Sequence, residues 1–201
     1  HGSDVVILNV QSGDAISSGS EFGPVFGDVF QSFVSNNYIP HAYWSAANVP
    51  MVDAGFSSTA SSNNNAADNN INEIIASTLD VGVAASASIS GSTVTVNTLS
   101  KFYSDHGEHF IGVYLLEDGV MAMQQISGSD AAETAHNNVL RAAAYSGNSL
   151  GVESMGDSFT TNQEVTGTYT IDVNSNWNSS NLQVAVVVWK TNVADGISNS
   201  I

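Results

Sequence analysis

FIGVYLLEDGVMAMQQ at residues 110–125 and, after a polar spacer, HNNVLRAAA at residues 136–144 carry the clearest structural signal in this chain. Phe110–Leu116 is a short apolar run bounded by a turn, which reads as a strand. Asp118-Gly119 is a strong two-residue turn signal, which predicts a hairpin between Phe110–Leu116 and Val120–Gln124. Val139–Ala144 reads as a further strand.

Working outward, the same style continues on both sides. Val83, Ala85, Ala87 and Ile89 alternate with small or polar residues, Ser90-Gly91-Ser92 supplies a turn, and Val94, Val96 and Leu99 follow. Thr166–Val173 and Leu182–Trp189 complete about seven strands separated by turn chemistry, as in an antiparallel, Ig-like β-sandwich. The run Val184–Trp189 is apolar on both faces and is expected at the centre of a sheet.

The Leu-Glu-Asp-Gly strand end at 116–119, the Gln after it, the His-Asn-Asn-Val-Leu-Arg segment at 136–141 and the closing NLQVAVV strand from Asn181 resemble the twenty-eight-kilodalton outer-membrane protein family of Bacteroidota, the Omp28-related surface proteins. The resemblance implies a secreted or cell-surface, outer-membrane-associated protein. It also implies an α/β domain of thioredoxin type ahead of the sandwich. It brings no catalytic residue with it. The Cys-x-x-Cys segment often found upstream in related surface proteins is absent, since the chain has no cysteine.

Residues 4–79 alternate strand and helix signals. Val5–Val10 is a continuous run expected as a strand buried on both faces, and Val25, Phe26, Val29, Phe30, Phe33 and Val34 form one helical stripe behind Pro24. Val49–Val52 reads as a second strand entered through Pro50, which stands where the thioredoxin resemblance implies a cis-proline. Ile71, Ile74, Ile75 and Leu79 share a helical face within 66–79. The expected fold class is therefore α+β: a thioredoxin-like α/β remnant over 1–79 lacking its first strand and helix, and a β-sandwich over 80–201.

Lys101, Arg141 and Lys190 are the only basic residues against 19 acidic ones, for a net charge of −16. Three cations cannot build the electropositive groove that nucleic acid requires. Charged residues make up 11% of the chain, where about 25% is usual, so Ser, Thr and Asn must wet most of the surface. That surface favours an extracellular setting. Hydrophobic residues at 42% in organised runs argue against disorder. No run approaches the roughly 20 apolar residues of a membrane helix, so no transmembrane segment is expected.

Several residues bear on chemistry. His1 presents an amino group and an imidazole that together chelate copper, as in lytic polysaccharide monooxygenases, with His41, His106, His109 or His136 available as a second imidazole. His106-Gly107-Glu108-His109 has the spacing to seed a metal site, although Gly107 and the strand after it make this a loop. His136 is assigned structural hydrogen bonds. Asp172, Asn174 and Asn176 alternate as in calcium-binding loops, but the Gly and distal Glu of such a loop are absent and an Asx-rich turn explains the run without metal. No cofactor is therefore expected, with structural calcium at this loop as the alternative. Arg141 is expected to pair with a carboxylate such as Glu117 or Glu133. Tyr43, Trp44 and Trp177 are candidates for a glycan- or peptide-binding surface, whereas Pro50, Glu117, Asp118 and Gly119 are read as structural.

The leading reading is a non-enzymatic surface protein, structural or adhesive, that self-associates by strand pairing into filaments. The Val5–Val10 strand is the expected edge. A receptor for a peptide, glycan or small ligand in the crease between two domains is the alternative, and an N-terminal-His copper enzyme comes third.

Overall fold

A computed structural model describes residues 8, 43–46, 49–53, 68–69, 71–73, 75–126, 129–147 and 151–190. Eleven strands are described: β1 (Tyr43–Ala46), β2 (Val49–Asp53), β3 (Val81–Ser90), β4 (Thr93–Phe102), β5 (His109–Glu117), β6 (Val120–Ile126), β7 (Ser129–His136), β8 (Val139–Ala143), β9 (Val152–Gly156), β10 (Glu164–Asp172) and β11 (Leu182–Trp189).

Two sheets face each other. One has the order β10-β4-β3, and the other runs β11-β5-β8 with β9 also paired to β5. Every ladder is antiparallel. Between the sheets lie Val94 and Val96 of β4, Ile171 of β10, and Ile111, Val113 and Leu115 of β5. The period-two alternation of β4 follows from this packing: Val94, Val96, Thr98, Ser100 and Phe102 are buried, and the residues between them are not.

β5 is the organising strand, since all nine of its residues are buried. β11 covers one edge along Phe110–Glu117, while β9 and then β8 cover the other. Its second face is also covered: Tyr114 and Leu116 pack with Leu140 and Ala185, and Leu8 and Val187 lie against them. Burial on two faces and two edges explains why this run is apolar without alternation.

The thioredoxin-like layer does not survive, and the α+β assignment is corrected to a mostly β chain with antiparallel sheets. β1 and β2 pair antiparallel with each other, Tyr43 opposite Asp53 and Ala46 opposite Val49. Pro50 therefore sits in a two-stranded hairpin, where a residue without an N–H is tolerated at a free edge, and not before a strand of a parallel sheet. The helical signal over 66–79 is met by helical residues between Asp68 and Ala76. Two residues of its stripe, Ile75 and Leu79, are 53% and 57% exposed. Of the Val5–Val10 run only Leu8 is described, and it carries no strand pairing. The Pro24 helix lies outside the described residues.

Two further expectations change within the sandwich. Among the described residues β11 is an edge strand and β5 the central one: apolarity on both faces reports what covers the faces, and says nothing of what lies beside the strand. The hairpin predicted at Asp118-Gly119 does not form. β5 pairs with β8, and β6 pairs with β7. Both ladders share one register, with Glu117 opposite Val139 and Val120 opposite His136. β5–β6 and β7–β8 thus make one long hairpin interrupted at 118–119 and 137–138.

Leu115 is fully buried between the sheets on the central strand. Leu115→Ala should destabilise the protein by about 2–5 kcal/mol, read as a lower midpoint in urea unfolding with an unchanged slope.

Candidate functional site

The residues with chemical potential converge where the long hairpin is interrupted. Glu117 ends β5 and Arg141 lies on the neighbouring β8; both side chains are only 6% exposed, and Arg141 Nε donates to Glu117 Oε2 at 2.7 Å. A buried carboxylate needs its remaining lone pairs satisfied, and Glu117 Oε1 accepts from the Asn178 backbone N–H at 2.7 Å. The guanidinium stands 5.8 Å from the Trp177 ring centroid, within cation–π range. Trp177 in turn packs on the core between the sheets.

Asp118 extends this node. Its Oδ1 accepts from Asn138 N at 2.7 Å, and Gly119 N donates to Asn137 Oδ1 at 3.0 Å. Side-chain oxygens thereby replace the ladder bonds that the backbone gives up here. The break needs left-handed backbone on both arms, supplied by Gly119 (φ 70°) and Asn138 (φ 55°), the residue types that adopt it at least cost. On the other side Asp118 N donates to Asn181 O at 3.1 Å, Asn181 Nδ2 returns to Asp118 O at 3.0 Å, and Gln183 Nε2 donates to Asp118 Oδ2. The node ties β5, β8 and the entry to β11 together. Asn137, Asn138, Asn178, Asn181 and Gln183 were not singled out from the sequence; paired Asn residues opposite an Asp-Gly were the available signal.

The two imidazoles of His106 and His109 meet at the end of the sandwich, 5.1 Å between centroids. Phe102 stacks on Phe159 at 4.0 Å, and His109 meets both rings edge-on. His109 is buried and its Nδ1–H donates to Gly107 O at 3.0 Å. Burial holds its pKa below the ordinary value, with the hydrogen bond to Gly107 opposing. His106 Nε2 bonds Ser104 Oγ at 2.9 Å, and its backbone bridges to Phe159 in both directions. Among the described residues no three His, Cys, Asp or Glu side chains gather to hold a metal ion.

In the Asn-rich loop, Asn174 Oδ1 accepts from Asn176 N at 3.0 Å, Asn178 Oδ1 from Ser180 N at 3.1 Å, and Asp172 Oδ1 from Thr93 Oγ1 at 3.4 Å. The first two are Asx turns that shape the entry to β11. Tyr43 and Trp44 lie on β1, Pro50 on β2, and His136 closes β7 opposite Val120. Trp177 belongs to the Arg141 node. His1 and His41 lie outside the described residues.

A shallow groove of about 170 Å³ opens between β3 and β11, with Ala87, Ile89, Leu182 and Val184 as walls and Val94 and Leu115 also lining it. No helix among the described residues is long and apolar enough to cross a membrane.

Residues 38–199 match the family model described as Outer membrane protein Omp28. No curated protein matches the chain. Among solved structures it is similar to "E. coli curli protein CsgC - SeCys" at 9% identity, covering 55% of this chain and 86% of that one with a TM-score of 0.28, a likeness too slight to bear on fold or function.

Two measurements test the site. Glu117→Leu or Arg141→Met alone strands a buried partner and should cost about 3–5 kcal/mol, while the two together should cost clearly less than the sum of the single changes; additive losses in urea unfolding would contradict the coupling. His109 is neutral in the folded protein below the pH at which it protonates when unfolded. Its contribution is complete above about pH 6.5 and lost as pH falls toward its lower folded value. Thermal melts from pH 7.5 to 5.5 should show a fall in Tm that His109→Phe makes shallower.

Proposed function

The chain belongs to the outer membrane protein Omp28 family, a protein of the outer membrane or cell surface, and from that premise we propose that it is a non-catalytic structural or adhesive module that associates with copies of itself through an open strand edge. The observation carrying this reading is β3. It is ten residues long, VGVAASASIS, with no charge, no proline and an unbroken register against β4. Soluble proteins commonly protect such an edge with lysine, proline, a bulge or shortness. This chain has three basic residues in total and spends none of them there.

The polar groups support the same reading. Glu117, Asp118 and Arg141 serve the break in the hairpin, and His106 and His109 serve ring packing and local hydrogen bonds. We place the interface at β3; of the Val5–Val10 run only Leu8 is described, and it lies against Tyr114, Leu116, Leu140 and Ala185. A division near residue 80, just ahead of β3, and structural calcium at Asp172, Asn174 and Asn176 belong to the proposal.

Sedimentation velocity and negative-stain imaging of purified protein, with and without a calcium chelator, test it. Concentration-dependent assembly is expected, and an arrest of assembly by the chelator would tie the Asn-rich loop to it. A monodisperse monomer at every concentration would sink the self-association reading.

A further inference from the structure

Resting on the self-association reading, we infer that β3 of one copy meets β3 of the next antiparallel about a two-fold axis at Ala85. The pairing of β3 with β4 places Val81, Val83, Ala85, Ala87 and Ile89 opposite Phe102, Ser100, Thr98, Val96 and Val94. Residues directly opposite share a face, so these five point toward the interior of the sandwich. They are nonetheless poorly covered: Val83 is 41% and Ile89 48% exposed, and Ala85 and Ala87 are exposed too. Ile75 and Leu79, which precede the strand in sequence, are exposed as well.

The backbone makes the same selection. Ser90 and Thr93 flank the two-residue turn Gly91-Ser92, so they form a hydrogen-bonded pair. Counting back, the even-numbered residues of β3 direct their N–H and C=O groups at β4. The odd-numbered ones direct theirs outward. With no strand beyond β3 among the described residues, the residues offering backbone groups outward are the same five whose side chains need cover.

A partner strand must oppose odd residues with odd residues, since a slip of one would turn the apolar set outward. Centring on Ala85 uses all five, with Val81 opposite Ile89 and Val83 opposite Ala87. The other face then carries Gly82 opposite Ser88 and Ala84 opposite Ser86, small groups that let the strands approach. The strand is thus complementary to itself.

Charge favours a second copy over a charged partner. The chain carries −16, and a basic protein would be drawn to its carboxylates. β3 offers none, so two acidic copies meet here without opposing like charges. Ten residues span about 34 Å. The β11 edge lies beside β3 across the groove and, like it, has no partner strand on its outer side among the described residues.

The absence of native cysteine permits a clean test. In a hydrogen-bonded antiparallel pair the opposed Cα atoms lie about 5.5 Å apart, within disulfide reach. Ala85→Cys should give a disulfide-linked dimer under mild oxidation. Ser88→Cys should not, because it stands opposite Gly82 and far from its own copy. Ala85→Lys sets two ammonium groups face to face and should weaken association roughly tenfold or more, with an unchanged circular dichroism spectrum confirming the fold. Self-association that survives Ala85→Lys, or equal cross-linking at 88 and 85, would overturn this pairing while leaving self-association standing. A monomer at every concentration would overturn both.

Discussion

The buried contact between Glu117 and Arg141 is the constraint from which the architecture is best understood. A carboxylate and a guanidinium withdrawn from water are costly unless each finds complementary partners, and the geometry that satisfies them leaves little freedom. Glu117 must end β5 where β8 brings Arg141 alongside and where the loop before β11 brings the Asn178 N–H. Three separate parts of the chain are held in one arrangement. Trp177 closes the node by covering the guanidinium with an aromatic face while its other contacts join the core.

Immediately beyond that node the hairpin changes character. The ladder continues in register from β5–β8 to β6–β7, but the crossing residues exchange backbone bonds for the side chains of Asp118 and Asn137. Paired left-handed residues accomplish this without losing register. The Asp-Gly and Asn-Asn dipeptides are therefore one device seen from two arms, and each makes sense only in the presence of the other.

The sandwich also has an asymmetry of protection. β5 is covered on every side, whereas β3 in the opposite sheet turns apolar side chains toward an interior that the facing sheet covers only in part. In a chain whose few cations are largely committed, Arg141 to Glu117 and Lys101 to Glu164 at 3.2 Å, no lysine guards this edge. The acidic residues lie elsewhere in the sequence, which leaves β3 uncharged along its whole length.

Much of this was open to reading in the residues themselves. The seven segments with strand patterning correspond to β3, β4, β5, β6, β8, β10 and β11, because alternation and apolar runs are local consequences of which faces are buried. β7 and β9 escaped notice: SDAAETAH has little β-branched or aromatic character, and VESMG is too short to show a period. The charge balance and the absence of cysteine were equally plain. Pairing was not, since a strand's faces are written in its own side chains but its neighbour is chosen by hydrogen bonds to residues far along the chain. Hence Asp118-Gly119 looked like a hairpin turn and proved a break, and, among the described residues, Val184–Trp189 looked central and lies at an edge and Pro50 suggested a thioredoxin sheet where a two-stranded hairpin stands. Local sequence determined what each segment would bury; the tertiary structure alone decided beside which segment it would do so.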